Sequence, residues 1–211
     1  MSLEEVQKKL NKYFADKLET FGTTAKGVDY NGEEAQQIRF AELIRIIRSK
    51  TPFTIIDYGC GYGAMFDFLH KAGFDFEYFG IDLIAEMVAA GKETHKGYAN
   101  AHFTNDEKQV PLADYLVAAG IFNIKLDAEA LDWKKFVCST LNQMNALCSK
   151  GFSFNMLTQY SDPERMKERP DLYYGDPLFF FDYCKINFSR NVALLHDYGL
   201  YDFTILVRKD P

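Results

Sequence analysis

The residues from Ile55 to Ala64, IIDYGCGYGA, close an apolar run with a carboxylate and then set glycines at positions 59, 61 and 63. Glycines at alternate positions after a buried strand bring the backbone close to a ligand, because no Cβ stands between. A second apolar run, FDFEYFGID, ends in Asp82. A carboxylate there accepts the hydrogens of both ribose hydroxyls, which suits any adenosine ligand. Three kinds of ligand compete for such a loop: a dinucleotide, a nucleoside triphosphate and another adenosine compound. The triphosphate fails, since no G-K-[ST] follows the glycines to reach a β- or γ-phosphate. The dinucleotide stays open, because Gly59, Gly61 and Ala64 also satisfy G-x-G-x-x-G/A. An NAD(P)-dependent oxidoreductase would use that pattern. Asp57 argues against it, being an awkward neighbour for a pyrophosphate and a good one for a cationic amine.

Other chemistry-bearing residues are sparse. The four cysteines, 60, 138, 148 and 184, show no CxxC spacing and pair with no histidine at a zinc-like interval, so no metal is expected. His70 and His95 read as exposed helix residues and His102 as a strand residue. His196 is expected to end the sixth strand beside Asp197, where it is a candidate general base.

The elements that must position these groups alternate. Leu3, Val6, Leu10, Phe14, Leu18 and Phe21 recur at helical spacing, with Ser2 and Glu5 as a capping box and Gly22 as the stop. A polar link precedes a second helix carrying Phe40, Leu43, Ile44 and Ile47 on one face. Strand and helix patterns then take turns from FTIIDYG to GFSFNML, which predicts an α/β fold with a parallel sheet covered on both faces. The terminal stretch NVALLHDYGLYDFTILVRK reads as a hairpin, adding an antiparallel strand. No repeat or convincing linker divides the chain, so one domain over 1–211 is expected, with an N-terminal helical segment at 1–50 and a core at 51–211.

A hydrophobic fraction of 47% with 26% charged residues excludes disorder. Charges interrupt every apolar run before membrane-spanning length, and the first residues lack an apolar signal core, so a cytoplasmic protein is expected. A net charge of -6 argues against a nucleic-acid partner, whose binders carry basic stripes.

IIDYGCGYG, YFGIDL and DYLVAAGIFN together resemble the class I, Rossmann-like methyltransferases that use S-adenosylmethionine. The resemblance runs from about Thr51 to the end. It implies a three-layer sandwich around a mostly parallel seven-stranded sheet, its last strand antiparallel. It implies S-adenosylmethionine as cofactor and S-adenosylhomocysteine as product. Asp57, Gly59 and Gly61, with Tyr58 and Cys60 between and beside them, would hold the methionine part, and Gly63 would shape the turn. Asp82 would hold the ribose and Leu83 would lie against the adenine. Asp106, or Asn105 in its place, would meet the adenine amine. Ala119, Gly120 and Ile121 would line the sulfonium side.

Transfer from a sulfonium is an in-line displacement, so the protein mainly aligns the acceptor and excludes water. A base helps only where the acceptor must lose a proton. The family members that methylate amide or base amino groups carry N/D-P-P-Y/F after the fourth strand. Here that place reads Ala119-Gly120-Ile121-Phe122-Asn123, which points with the acidic charge to a small-molecule acceptor, at oxygen or nitrogen. A non-catalytic cofactor-binding protein, or one with an RNA or protein acceptor, remains as an alternative. The acceptor site is expected from Tyr30 and Arg39, the latter meeting a carboxylate or pairing with Glu42. The aromatic segment 157–189, expected to form a lid, adds Tyr160, Tyr173 and Tyr174. The number of subunits has no signature in the sequence.

Overall fold

The structure, a computed structural model, describes residues 3–209, with backbone alone for Leu3 and Glu4. Ser2 of the expected capping box lies outside the described residues. Seven strands form one sheet: β1 (Phe53–Tyr58), β2 (Phe76–Ile81), β3 (Ala101–Thr104), β4 (Ala113–Ala118), β5 (Cys148–Leu157), β6 (Asn191–Leu195) and β7 (Asp202–Arg208). Their order is β3-β2-β1-β4-β5-β7-β6. The first five run parallel, and β7 is antiparallel to both β5 and β6. The seven-stranded mixed sheet and its terminal hairpin are as the sequence implied.

Strands in the middle of the sheet are buried on both faces, which is why FTIIDY and ADYLVA read as near-continuous apolar runs. Neighbouring residues feed opposite layers. Ile56, Leu116 and Phe154 pack with Trp133 and Val137 of α5 (Ala130–Ala146) and Phe180 of α7 (Pro177–Asn187). Ile55, Tyr115 and Val117 pack with Phe40 and Leu43 of α2 (Glu33–Leu43), Met65, Phe66 and Leu69 of α3 (Ala64–Lys71) and Val88 of α4 (Ala85–Thr94). The N-terminal helix α1 (Leu3–Phe21) ends where Gly22 turns back, its amide donating to the Leu18 carbonyl at 2.8 Å. Its apolar stripe sends Val6 into the first layer. A short helix α6 (Pro163–Glu168) follows β5.

The strand order reverses between β1 and β4. Both strands point their carboxyl ends to the same edge, leaving a crevice where open α/β sheets bind ligands. No described helix is long and apolar enough to cross a membrane.

Candidate functional site

A cavity of ≈ 560 Å³ opens at that reversal. This falls in the range of about 300–1,000 Å³ usual for small-molecule sites. Asp57 and Tyr58 line it from the end of β1, Gly59, Cys60 and Gly61 from the loop that follows, and Asp82 and Leu83 from just beyond β2. Ala119, Gly120 and Ile121 line it from beyond β4, which ends one residue earlier, at Ala118.

The glycine loop is pinned from below. The Gly59 and Cys60 amides both donate to the Ile81 carbonyl, at 2.7 and 3.0 Å. Gly59 and Gly61 have positive φ, and each faces a side chain closely. A Cβ on Gly59 would stand 2.3 Å from Ile121 Cγ2, and one on Gly61 would stand 2.8 Å from Val28 Cγ1. The loop is thus closed by β4's following turn on one side and by the N-terminal segment on the other. Gly63 lies outside the cavity lining and ends the turn as the residue before α3.

Asp82 is buried, and both its oxygens are engaged. Oδ2 accepts the Gly61 amide at 2.8 Å and Oδ1 accepts the Ile84 amide at 3.0 Å. Burial pushes its carboxyl up from the ordinary value, and these two amides oppose the rise. Asp57 is also buried and accepts the Tyr78 hydroxyl at 2.7 Å. Burial raises its carboxyl to about 7, the Tyr78 hydroxyl opposes, and the charge of Asp82 adds to the rise. The Tyr58 hydroxyl donates to Glu107 Oε2 at 3.0 Å, closing the β3 side. Burial pushes the Cys60 thiol well above its ordinary value, so it offers no thiolate.

Asp106 departs from expectation. It is absent from the cavity lining, and its carboxylate caps the turn Glu107–Gln109 by accepting the Lys108 amide at 3.0 Å and Gln109 Nε2 at 3.2 Å. Asn105 and Glu107, on either side of it, line the cavity instead.

Arg39 finds neither Glu42 nor open solvent. Its Nε and Nη2 donate to Asp202 Oδ2 and Oδ1, both at 2.7 Å, while Glu42 pairs with Arg45. Asn155 Nδ2 donates to the same Asp202 at 2.7 Å, and Asn155 Oδ1 accepts the Gly120 amide at 2.8 Å. A buried chain of polar contacts therefore runs from α2 through β7 and β5 to the loop beside the glycines. The Arg39 guanidinium also lies over the Tyr30 ring, 5.4 Å from its centroid, and the Tyr30 hydroxyl donates to the Ala119 carbonyl at 3.2 Å. Arg39 and Tyr30 both reach the cavity, yet both are held by the protein's own groups.

The aromatic segment is used differently from expectation. Tyr160 is 61% exposed and outside the lining. Tyr173 is buried against the α5–α7 layer. Tyr174 packs beside Ile124, Leu157 and Leu172. From 157–189 the cavity takes Leu157, Arg165, Arg169 and Leu172, and α7 is mainly a core helix. His196 follows the end of β6, is exposed, and stacks near Tyr160 away from the cavity. His95 is buried rather than exposed, because Gly63 leaves room for its ring against Phe66 and for Phe103, on which it stacks, with Gly91 making space for the same Phe103.

The largest contribution missed from sequence is α1. Val6, Gln7, Leu10, Asn11 and Phe14 form a wall of the cavity. Their helical periodicity was visible, but an apolar stripe does not say whether it meets core or ligand space.

This architecture is the Rossmann-like methyltransferase fold. A structure of PH0226 from Pyrococcus horikoshii OT3 superposes with a TM-score of 0.64 at 14% identity, over 92% of this chain and 99% of that one. Human N-acetylserotonin methyltransferase in complex with SAM gives 0.60 at 17% identity, over 95% and 66%. Residues 49–178 match the family model described as a methyltransferase domain. A protein of Mycobacterium tuberculosis (strain ATCC 25618 / H37Rv), Rv1506c, is 50% identical over 166 residues, which are 79% of this chain and 99% of its own; its name marks its methyltransferase assignment as provisional. The chain belongs to the methyltransferase-domain family.

Proposed function

We propose that this protein transfers the methyl group of S-adenosylmethionine to an oxygen or nitrogen of a small-molecule acceptor. One observation carries the reading: a single cavity joins the glycine loop and both strand-end carboxylates to an aromatic-lined space walled by the N-terminal helix. The residues fit the cofactor. Asp82 uses one acceptor site on each oxygen for backbone amides, and an ionised carboxylate has about four, so two ribose hydroxyls are accommodated. Asp57 suits the cationic amine of the methionine part. Leu83, 57% exposed, offers apolar surface to the adenine. Asn105, the alternative to Asp106, and Glu107 line the cavity and would meet the adenine amine. Ala119, Gly120 and Ile121 would flank the sulfur.

The cofactor supplies, when bound, a methyl already activated on a sulfonium. The chain's own work is then to hold the acceptor in line and keep water out. Burial pushes the Tyr30 hydroxyl far above its ordinary value, so it stays protonated and acts as a fixed donor, not a base. An acceptor amine that is already neutral keeps its lone pair free and needs no base for the attack. Family membership sets the oxidoreductase reading aside.

Thermal unfolding with S-adenosylhomocysteine, S-adenosylmethionine, NADH and NADPH in parallel tests the proposal, since a ligand of the native state raises the midpoint. The expected result is a rise with the two adenosyl-sulfur compounds alone, lost in Asp82→Ala. A rise with a nicotinamide cofactor alone would overturn it. Transfer of labelled methyl to small molecules, compared with RNA and protein, separates the enzyme from a non-catalytic binder and names the acceptor class.

A further inference from the structure

The charged groups around the cavity divide by position in the sheet. Asp57, Asp82 and Glu107 stand on the β1–β2–β3 side. Arg165 and Arg169 come from the segment after β5, across β4 from the carboxylates. Most of the ionic groups here have partners. Arg39 is held by Asp202, Arg169 makes two bonds to Asp171 at 2.9 and 2.8 Å, and Asp29 pairs with Lys17 at 2.7 Å. Arg165 forms no ion pair among the described residues, and it is the one cavity-lining guanidinium in that state.

Its setting is built, not loose. The guanidinium lies over the Tyr201 ring, 4.9 Å from the centroid, and the Tyr201 hydroxyl is itself tied to Asp162. An aromatic face orients a guanidinium while leaving its N–H edges for another group. Arg165 Nε is buried with no hydrogen-bond partner, while the Tyr174 hydroxyl, outside the cavity lining, interacts with the Arg165 side chain from behind. Burial pushes the Tyr174 hydroxyl up and the charges of Arg165 and Arg169 oppose the rise, so tyrosine and arginines act on one another. Unpaired buried donors cost free energy unless a ligand satisfies them. Around them Phe14, Ile124, Leu157 and Leu172 offer apolar surface.

We propose that the methyl acceptor is an amphipathic small molecule bearing a carboxylate or phosphate, and that Arg165 binds this anion. The planar fork of arginine matches either oxyanion with two parallel bonds. The apolar body of the acceptor would then lie toward α1, and its nucleophile toward the loop after β4. The inference rests on the methyl-transfer reading, and it deepens that reading by giving the acceptor a charge.

The test begins with S-adenosylhomocysteine binding to the wild-type protein by calorimetry, whose failure would sink the methyl-transfer reading itself. Protein saturated with S-adenosylhomocysteine is then titrated with 4-hydroxybenzoate, 4-aminobenzoate, dodecanoate and phenyl phosphate. The primary amides of the three carboxylates serve as neutral counterparts. At least one anion is expected to bind while its neutral counterpart, or phenol for the phosphate, does not, and the responding arm distinguishes carboxylate from phosphate. Arg165→Gln should weaken that anion by about tenfold or more, as loss of a charged hydrogen-bonding partner does. Arg165→Lys should fall between, and S-adenosylhomocysteine affinity should be the same in all three proteins. Added salt should weaken the anion in the wild-type protein, which keeps the question open to test even if a variant folds poorly. Neutral counterparts binding as well as the anions, unchanged anion binding in Arg165→Gln, or no anion binding at all would overturn the proposal.

Discussion

On one side of the cavity, Asp57, Gly59, Gly61 and Asp82 occupy a single strand-loop-helix-strand unit, and the contacts among them are largely backbone to side chain. On the other side, the groups come from α1, Tyr30, Arg39, Asn155, Arg165 and Asp202, and are joined by side chains distant in the chain. The first half is a local construction that short spacing can specify. The second exists only once β5, β7 and the N-terminal helices have met. Recognition of a common cofactor suits the first mode, and variation of the acceptor suits the second.

If the second half depends on long-range pairing, its weakest point is the Arg39–Asp202 contact, whose side chains are 11% and 0% exposed. Arg39→Met would leave the Asp202 carboxylate buried with Asn155 as its remaining side-chain donor. A loss of about 3–5 kcal/mol in urea unfolding is expected, with much of it recovered in Arg39→Met/Asp202→Leu. A loss below about 1 kcal/mol would show that the two halves do not differ in this way.

The first half should instead reveal itself through protons. With the Asp57 carboxyl raised from 3.8 to about 7, the folded protein keeps a proton that the unfolded chain has already released over that interval. Folding is therefore favoured most by this group below about pH 4, and stability falls as pH rises toward 7, by on the order of a few kcal/mol. Asp57→Asn should flatten that slope in urea midpoints measured against pH. A cationic amine beside Asp57 favours the ionised form, so S-adenosylhomocysteine affinity should climb as pH approaches 7 in the wild type and not in Asp57→Asn. The same slope in both proteins would place the titration elsewhere.

His196 belongs to neither half. His196→Ala should leave S-adenosylhomocysteine affinity and methyl-transfer rate unchanged at every pH, and loss of the acidic limb of the rate profile, where the parent's rate rises with pH, would restore it as a base.

These contrasts explain what was legible in the sequence. The sheet, its terminal hairpin and the residues from Asp57 to Asp82 follow from alternation, glycine spacing and strand ends, all within a few tens of residues. Arg39 was noticed, but its partner could not be. Asp202 lies 163 positions away, and nothing local separates it from a surface acid such as Glu42. Asp106 and Asn105 could not be ranked, because which of them caps a turn is decided by backbone geometry. His95 reads as solvated on its helix because the space that admits its ring is made by Gly63, in the loop after β1.

The placement of Val28 over Gly61 and of α1 along the cavity has a consequence for traffic through the protein. The groups along that wall belong to the first helices of the chain, which pack beside the crevice and are not woven into the sheet. A product held at the glycine loop would then leave past these helices. Loosening of those helices would then shorten the lifetime of a bound state, at a distance from the atom that receives the methyl.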